Sequence, residues 1–201
     1  MLFNKSGALS VIVASTAFLL AACNVSDPHE HDEGELITSI RLVLTHAGSG
    51  TDALAAFADT VWFRDPDGPG GAAPTDHDTL RLVAGRDYRV SLSFLNESNP
   101  RDVIDMTDEI RAKATDHQVF YTVAGSGLVV AYVDEDDAGL PVGLETMFTT
   151  AASATDTRDA LDSLTVTLKH QPGLKSGNST ITTGETDVAV TFAVVLTEDV
   201  L

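Results

Sequence analysis

Histidine and carboxylate side chains are the first residues in this sequence whose chemistry suggests a function. His29 and His31 flank Glu30 and precede Asp32 and Glu33, so HEHDE places two imidazoles and three carboxylates within five residues. Imidazole and carboxylate groups are ligands for Zn²⁺ and Cu²⁺. The alternative is a polar, solvated segment that happens to include histidine, because such a tract cannot bury enough apolar surface to order itself.

Two further histidines lie within segments of alternating apolar and polar residues. His117 is two residues before Val119, and His170 is two residues after Leu168, so in a strand each histidine points to the same face as that apolar residue. Each imidazole is therefore expected at the end of a strand on its inward face, where an unpaired ring would be costly. The sequence predicts that the two rings meet at one end of a sheet structure.

Asp116 and Glu145 are the carboxylates that would complete a metal site with His117 and His170. A zinc ion bound there would have the mixed nitrogen and oxygen ligands that this metal accepts. The alternative interpretation is that each histidine donates a hydrogen bond to a main-chain carbonyl and closes the core.

Asp65 and Asp67 suggest calcium, because hard oxygen ligands suit this ion. The segment Asp65-Pro66-Asp67-Gly68 is similar to the start of a calcium loop. Pro69 occupies the third ligand position and no glutamate closes a twelve-residue loop, so an EF-hand is excluded and a looser site is the expectation.

The sequence lacks the motifs of common enzymes. It has no G-x-S-x-G elbow, no H-E-x-x-H helix, no Walker loop and no G-x-G-x-x-G after a strand. Paired carboxylates for glycoside hydrolysis leave no fixed spacing in a sequence. An aromatic content of 6% with the single Trp62 argues against a sugar-stacking cleft. We therefore expect a protein that is not an enzyme.

The charge and the cysteine count exclude several classes of partner and site. The chain of 201 residues has a formal charge of −18, which argues against nucleic acid, since phosphate neutralisation needs clustered Lys and Arg. One cysteine excludes an intramolecular disulfide and any site with several cysteine ligands.

The amino terminus predicts a lipoprotein. Lys5 precedes a short apolar run that ends in Leu20-Ala21-Ala22-Cys23, which resembles the lipobox of bacterial lipoproteins. We expect residues 1–22 to be a cleaved signal peptide and Cys23 to carry the diacylglycerol and a palmitate-type acyl chain, which together anchor better than one chain. Residues 23–35 are then a flexible acidic tether, and residues 36–201 are the folded domain.

Alternation with period two dominates the folded part. It predicts seven to nine short strands and hence an all-β fold, an antiparallel immunoglobulin-like β-sandwich. The predicted strands cover residues 36–44, 59–64, 79–83, 88–96, 117–123, 128–133, 144–149, 164–170 and 188–196. Strands 79–83 and 88–96 are expected to form a hairpin. One helix is predicted over residues 102–115, and a short helical turn near residues 157–161.

Several segments resemble a group of small, uncharacterised outer-membrane lipoproteins of Gram-negative bacteria. They include the lipobox LAAC, the segment DHQVF that begins at Asp116, and the segment KHQP that begins at Lys169. The resemblance implies a location at the outer membrane, and it implies no established activity. The periplasmic-binding label that some members carry implies α/β layers, which the alternation contradicts.

Taken together, these patterns favour a non-enzymatic binding module anchored in the outer membrane by its lipid, on the periplasmic or the cell-surface face. A divalent metal, Zn²⁺ or Ca²⁺, is the favoured ligand. The alternative is a structural or adhesive accessory subunit of an envelope or receptor complex without a metal site, for which an outer-membrane receptor is the natural partner.

Overall fold

The described part of the chain forms two β-sheets and one short α-helix. The structure is a computed structural model that describes Met1 and residues 36–46, 57–125, 127–152 and 162–198. The chain divides into two units, Met1–Asp32 and Glu33–Leu201, and the strands among the described residues belong to the second. The predicted all-β class is therefore confirmed at this level. In chain order the elements are β1 (Ser39–His46), β2 (Phe57–Arg64), β3 (Asp76–His77), β4 (Leu80–Val83), β5 (Asp87–Asn96), β6 (Ile104–Asp105), α1 (Thr107–Ala112), β7 (His117–Ala124), β8 (Leu128–Tyr132), β9 (Glu145–Thr150), β10 (Asp162–His170) and β11 (Glu185–Thr197).

The seven-stranded sheet has the order β3-β2-β1-β5-β9-β8, with β6 paired to β5. The four-stranded sheet has the order β4-β11-β10-β7. All the pairs are antiparallel except β4 with β11, which run parallel. The purely antiparallel arrangement expected from the sequence is wrong at this one pair.

The core consists of the apolar side chains on the inner faces of both sheets. Ile40 and Leu42 on β1 are 0% exposed, and so are Leu164 and Val166 on β10. These residues follow the period-two alternation, since successive side chains of a strand point to opposite faces. Burying each large apolar side chain stabilises the fold by about 1.5–3 kcal/mol, so this row of contacts holds the two sheets together.

The predicted hairpin of residues 79–83 with 88–96 is wrong. β4 pairs with β11 in one sheet, while β5 pairs with β1 and β9 in the other. The chain crosses between the sheets at Gly85, which has a φ of +70° that favours glycine. The crossing is held by the Tyr88 hydroxyl, which accepts a hydrogen bond of 2.8 Å from the Val83 amide. The short turn between these two segments of alternating apolar and polar residues therefore connects strands of different sheets. It does not connect neighbouring strands of one sheet.

The helix is shorter than the predicted 102–115. Its α-helical part is α1, and a single 3-10 turn, Ala114–Asp116, follows. The preceding residues Ile104 and Asp105 pair with the end of β5 as β6. The Thr107 hydroxyl accepts a hydrogen bond of 2.9 Å from the Phe94 amide, which ties the start of the helix to that strand. Residues 104–105 therefore form a strand pair with β5, although helix propensity alone would place them in the first turns of the helix.

Several predictions fall on residues that the structure does not describe. The signal peptide at 1–22, the tether with Cys23, His29 and His31, and the helical turn near 157–161 lie outside the described residues, apart from Met1. In the described part of the chain, no helix is both long and apolar enough to cross a membrane.

Candidate functional site

His117 and His170 lie side by side, as predicted from their positions on the inward faces at the ends of two strands. β7 begins at His117 and β10 ends at His170, and the antiparallel register pairs these two residues directly. Their ring centroids are 4.7 Å apart and the ring planes differ by 7°, so the imidazoles are stacked. The structure therefore brings together the two histidines that the sequence singled out.

The buried member of the pair is His117, which is 4% exposed. Its Nδ1 lies 3.0 Å from the main-chain oxygen of Lys113, at the end of α1. A carbonyl oxygen only accepts, so Nδ1 carries the proton and donates. This hydrogen bond fixes both the ring orientation and the nitrogen that holds the proton.

The second ring, His170, is half-buried and belongs to the closing end of the β10–β11 hairpin. Gly184, the residue before β11, approaches it with a φ of +74°, and a Cβ there would lie 2.1 Å from the His170 main-chain oxygen. Only glycine allows this approach. The position of the His170 backbone is thus set by the chain that packs on it, while its ring borders solvent.

A small cavity lies next to His117. Its volume is about 20 Å³, room for about one water molecule. Glu109 and Asp187 line it together with His117. No sequence pattern links these two residues to His117, because they lie on α1 and β11, far apart in the chain. The remaining lining residues are Ile37, Met106, Ile110 and Leu168.

The stacked geometry limits what the two rings can bind. A metal ion lies close to the plane of each imidazole that ligates it, and two parallel stacked planes cannot both contain one ion. Within the described ranges, no three or more His, Cys, Asp or Glu side chains are grouped so that they could hold a metal ion. Joint chelation by His117 and His170 therefore requires one ring to turn, and His170 is the ring that solvent reaches.

The two predicted carboxylate ligands differ in position. Asp116 is the direct neighbour of His117, and its main-chain oxygen accepts a hydrogen bond of 2.6 Å from the Gln171 amide. Glu145 lies on β9 in the other sheet, where the Ser91 hydroxyl donates to it at 2.9 Å. Because its neighbour Thr146 is 0% exposed, Glu145 faces away from the core. The structure does not bring Glu145 to the histidine pair.

Asp65 and Asp67 lie close together in the turn after β2. The Asp67 carboxylate accepts a hydrogen bond of 2.6 Å from the Ala72 amide, which is the main reason that its pKa is below the ordinary 3.8. Desolvation and the charge of Asp67 raise the pKa of Asp65. Asp65 Oδ1 is buried without a hydrogen-bond partner. Two carboxylates at this turn offer oxygen ligands of the kind that Ca²⁺ takes.

The acidic run 134–137 after β8 organises the loop that contains it. The carboxylate of Asp134 accepts hydrogen bonds of 2.8–3.1 Å from the amides of Gly143, Leu144 and Glu145. Asp136 Oδ1 accepts 2.9 Å hydrogen bonds from two further amides in the loop, those of Ala138 and Leu140. The sequence favours a solvated hairpin tip over residues 134–137. Only Glu135 and Asp137 fit that prediction, since their side chains are exposed.

Asp136 also forms a buried ion pair, which no sequence pattern indicates. Its Oδ2 lies 2.8 Å from Lys175 Nζ, and the two side chains are 1% and 2% exposed. Lys175 Nζ donates a second hydrogen bond of 2.8 Å to the Ala114 oxygen, in the turn that leads to His117. Burial alone would raise the pKa of Asp136, but Lys175 and the two amides outweigh it and lower the pKa. This pair joins three loops around the histidine end of the molecule.

No protein-family model, no curated protein and no solved structure matches the chain.

Proposed function

We propose that this protein is an outer-membrane lipoprotein whose all-β domain is a non-enzymatic binding module. The LAAC segment and Cys23 support the lipid anchor, and the polar residues 24–35 support a tether between lipid and domain. The first strand begins at Ser39, shortly after that tether. We further propose that the two sheets form an immunoglobulin-like sandwich, since their inward rows share one core.

The proposed ligand is a divalent metal ion of the Zn²⁺ type. The observation that carries this proposal is the contact between His117 and His170 next to a cavity that Glu109 and Asp187 help to line. Imidazole and carboxylate are the ligands that such ions accept. Binding requires the half-buried ring of His170 to rotate, while the Lys113 carbonyl holds His117 in place.

Calorimetric titration of the purified full-length protein in detergent with Zn²⁺, Cu²⁺ and Ca²⁺ tests this proposal. The double variant His117→Ala/His170→Ala should lose the saturable binding, whereas His77→Ala, a histidine on β3, should keep it. A bound ion at 100 times its Kd stabilises the folded state by about 2.7 kcal/mol, so a chelator should lower the Tm of the wild type only.

Two outcomes of this titration would contradict the metal site at the histidine pair. One is the absence of saturable binding in the wild type. The other is equal binding by the wild type and the double variant. In the second case a His29→Ala/His31→Ala variant assigns the binding to the HEHDE tract if it alone abolishes the signal.

The second candidate function is an accessory subunit of an envelope complex that has no metal site. The burial of His117 and its hydrogen bond to the Lys113 carbonyl favour it, because a core histidine makes these contacts. Under this alternative a chelator leaves the Tm unchanged, and the protein co-purifies with a membrane protein from its own envelope.

A further inference from the structure

A second cavity lies between residues 36–38 before β1, the turn after β2, and residues 186–190 of β11. β4 pairs with β11 only over residues 194–197, and the described part of the chain places no strand beside residues 186–190 on that side. At one end His77 Nε2 donates a hydrogen bond of 2.9 Å to the Thr191 main-chain oxygen. The volume of the cavity is about 280 Å³. Small-molecule sites range from about 300 to 1,000 Å³, so this cavity suits a ligand with a single ring or a short alkyl chain.

The walls of this cavity are mainly apolar. Aliphatic and aromatic side chains from both sheets line it, namely Leu36, Ile37, Phe63, Pro69, Val188 and Val190. Val190 is 6% exposed, whereas Leu36 is 43% exposed and borders solvent. Walls of this kind favour the apolar part of a ligand, because removing apolar surface from water is favourable.

The carboxylate of Asp65 lines the same cavity and lacks a hydrogen-bond donor. The Asp65 amide donates to Thr38 O at 2.8 Å, and Asp65 O accepts from the Gly68 amide at 2.9 Å, so the main chain holds this residue in the wall. Its Oδ1 is buried without a hydrogen-bond partner. A buried acceptor without a partner is costly, so a donor group on a ligand would stabilise it.

The charges around this cavity favour a cation. Asp65 and Asp187 are among the described residues that line it, and no Lys, Arg or His is. Arg64, the neighbour of Asp65 in the chain, is engaged elsewhere, since it pairs with Asp76 and Glu97 and its guanidinium lies 3.4 Å from the centre of a Trp62 ring. An anion would be repelled here and a cation attracted. In the described ranges, no three His, Cys, Asp or Glu side chains are grouped for a metal ion, so an organic cation fits these walls better.

We propose that this cavity binds a small organic ammonium ion with an apolar body, such as an alkylamine or an arylalkylamine. The ammonium group donates to Asp65 Oδ1, and the apolar body packs against Phe63 and Val188. Primary amines are protonated at pH 7, as the amine of lysine is. His117 and His170 do not line this cavity, so the amine site and the proposed metal site can each fail without the other.

Calorimetric titration with 2-phenylethylamine at pH 7 tests this site in the full-length protein, held in lipid nanodiscs with a chelator present. Nanodiscs replace detergent, which competes for an apolar cavity, and empty nanodiscs correct for partition of the amine into lipid. We expect saturable binding of the amine. Phenylacetate has a similar shape and a negative charge, so it should not bind.

Three variants assign the binding to the cavity. Asp65→Asn should weaken the binding of the amine by about 10-fold or more, because a hydrogen bond to a charged acceptor is lost. The matched control Asp78→Asn removes the same charge from a carboxylate that accepts from the Trp62 amide and does not line the cavity, so the affinity should stay unchanged. Val188→Phe fills the cavity and should abolish the binding. An unchanged Tm shows that each variant still folds.

Three results would overturn the proposal. The first is the absence of saturable amine binding in the wild type. The second is equal affinity of the wild type and a folded Asp65→Asn variant. The third is binding of phenylacetate as tight as that of the amine, which would show an apolar site that does not select for charge.

Discussion

Replacing Lys175 by methionine should lower the free energy of unfolding by about 3–5 kcal/mol, the usual cost of leaving a buried charge without its partner. Asp136 is 1% exposed and lies 2.8 Å from Lys175 Nζ, so the substitution leaves a carboxylate with little solvent contact and without its cationic partner. Urea unfolding at pH 7, followed by circular dichroism, measures the change.

Lys113→Met is the matched control. Lys113 Nζ lies 2.7 Å from Glu109, but the two side chains are 49% and 42% exposed. Solvent screens this pair, and its loss should cost about 0.3–0.5 kcal/mol. Equal effects of Lys175→Met and Lys113→Met would contradict the burial of the Lys175–Asp136 pair.

The same ion pair predicts a pH dependence. The pKa of Asp136 is below its ordinary value of 3.8 in the folded protein, so the stability it contributes is full above 3.8. That contribution is lost as the pH falls through the lowered folded pKa, because the carboxylate is then protonated. Unfolding curves between pH 7 and pH 2 should therefore show a smaller acid-induced loss in Asp136→Asn than in the wild type. An identical loss would contradict the lowered pKa.

Replacing Phe148 by alanine should lower the free energy of unfolding by about 3–5 kcal/mol. Phe148 lies on β9 and is 0% exposed, and its ring meets that of Tyr121 on β7 edge-on, with centroids 5.9 Å apart. Its removal opens a cavity between the two sheets, since the surrounding strands relax only partly. Thermal and urea unfolding measure the effect.

Phe148→Leu and Val129→Ala are the controls for this experiment. Leucine keeps most of the volume, so it should cost less than alanine. Val129 is 63% exposed, and its truncation should change the stability by less than about 0.5 kcal/mol. A loss below 1 kcal/mol for Phe148→Ala would contradict the shared core of the two sheets.

Local patterns predict the strands well and the pairing of strands poorly. The alternation of Tyr88, Val90 and Leu92 with polar residues locates β5 in both position and phase. The partner of β4 is β11, more than a hundred residues later, and nothing in the sequence around Gly85 specifies it. The edge pairing of residues 104–105 shortens the helix for the same reason, because a non-local hydrogen-bond partner outweighs a local propensity.

In the candidate site, too, local sequence patterns predict some features, while features that depend on distant partners could not be predicted. The meeting of His117 and His170 could be predicted, because both the inward phase and the strand ends are visible in the sequence. The roles of Asp134 and Asp136 could not, since their partners lie in other turns and at Lys175. Four adjacent acidic residues look alike as a sequence, and only the fold separates the two carboxylates that accept main-chain hydrogen bonds from the two exposed ones.

Mass spectrometry of the native protein from its own membrane tests the lipid anchor most directly. We expect a mature chain that begins at Cys23 and carries thioether-linked diacylglycerol with a further acyl chain. A retained segment 1–22 with a free thiol at Cys23 would contradict the anchor, and with it the proposed site of action at the outer membrane.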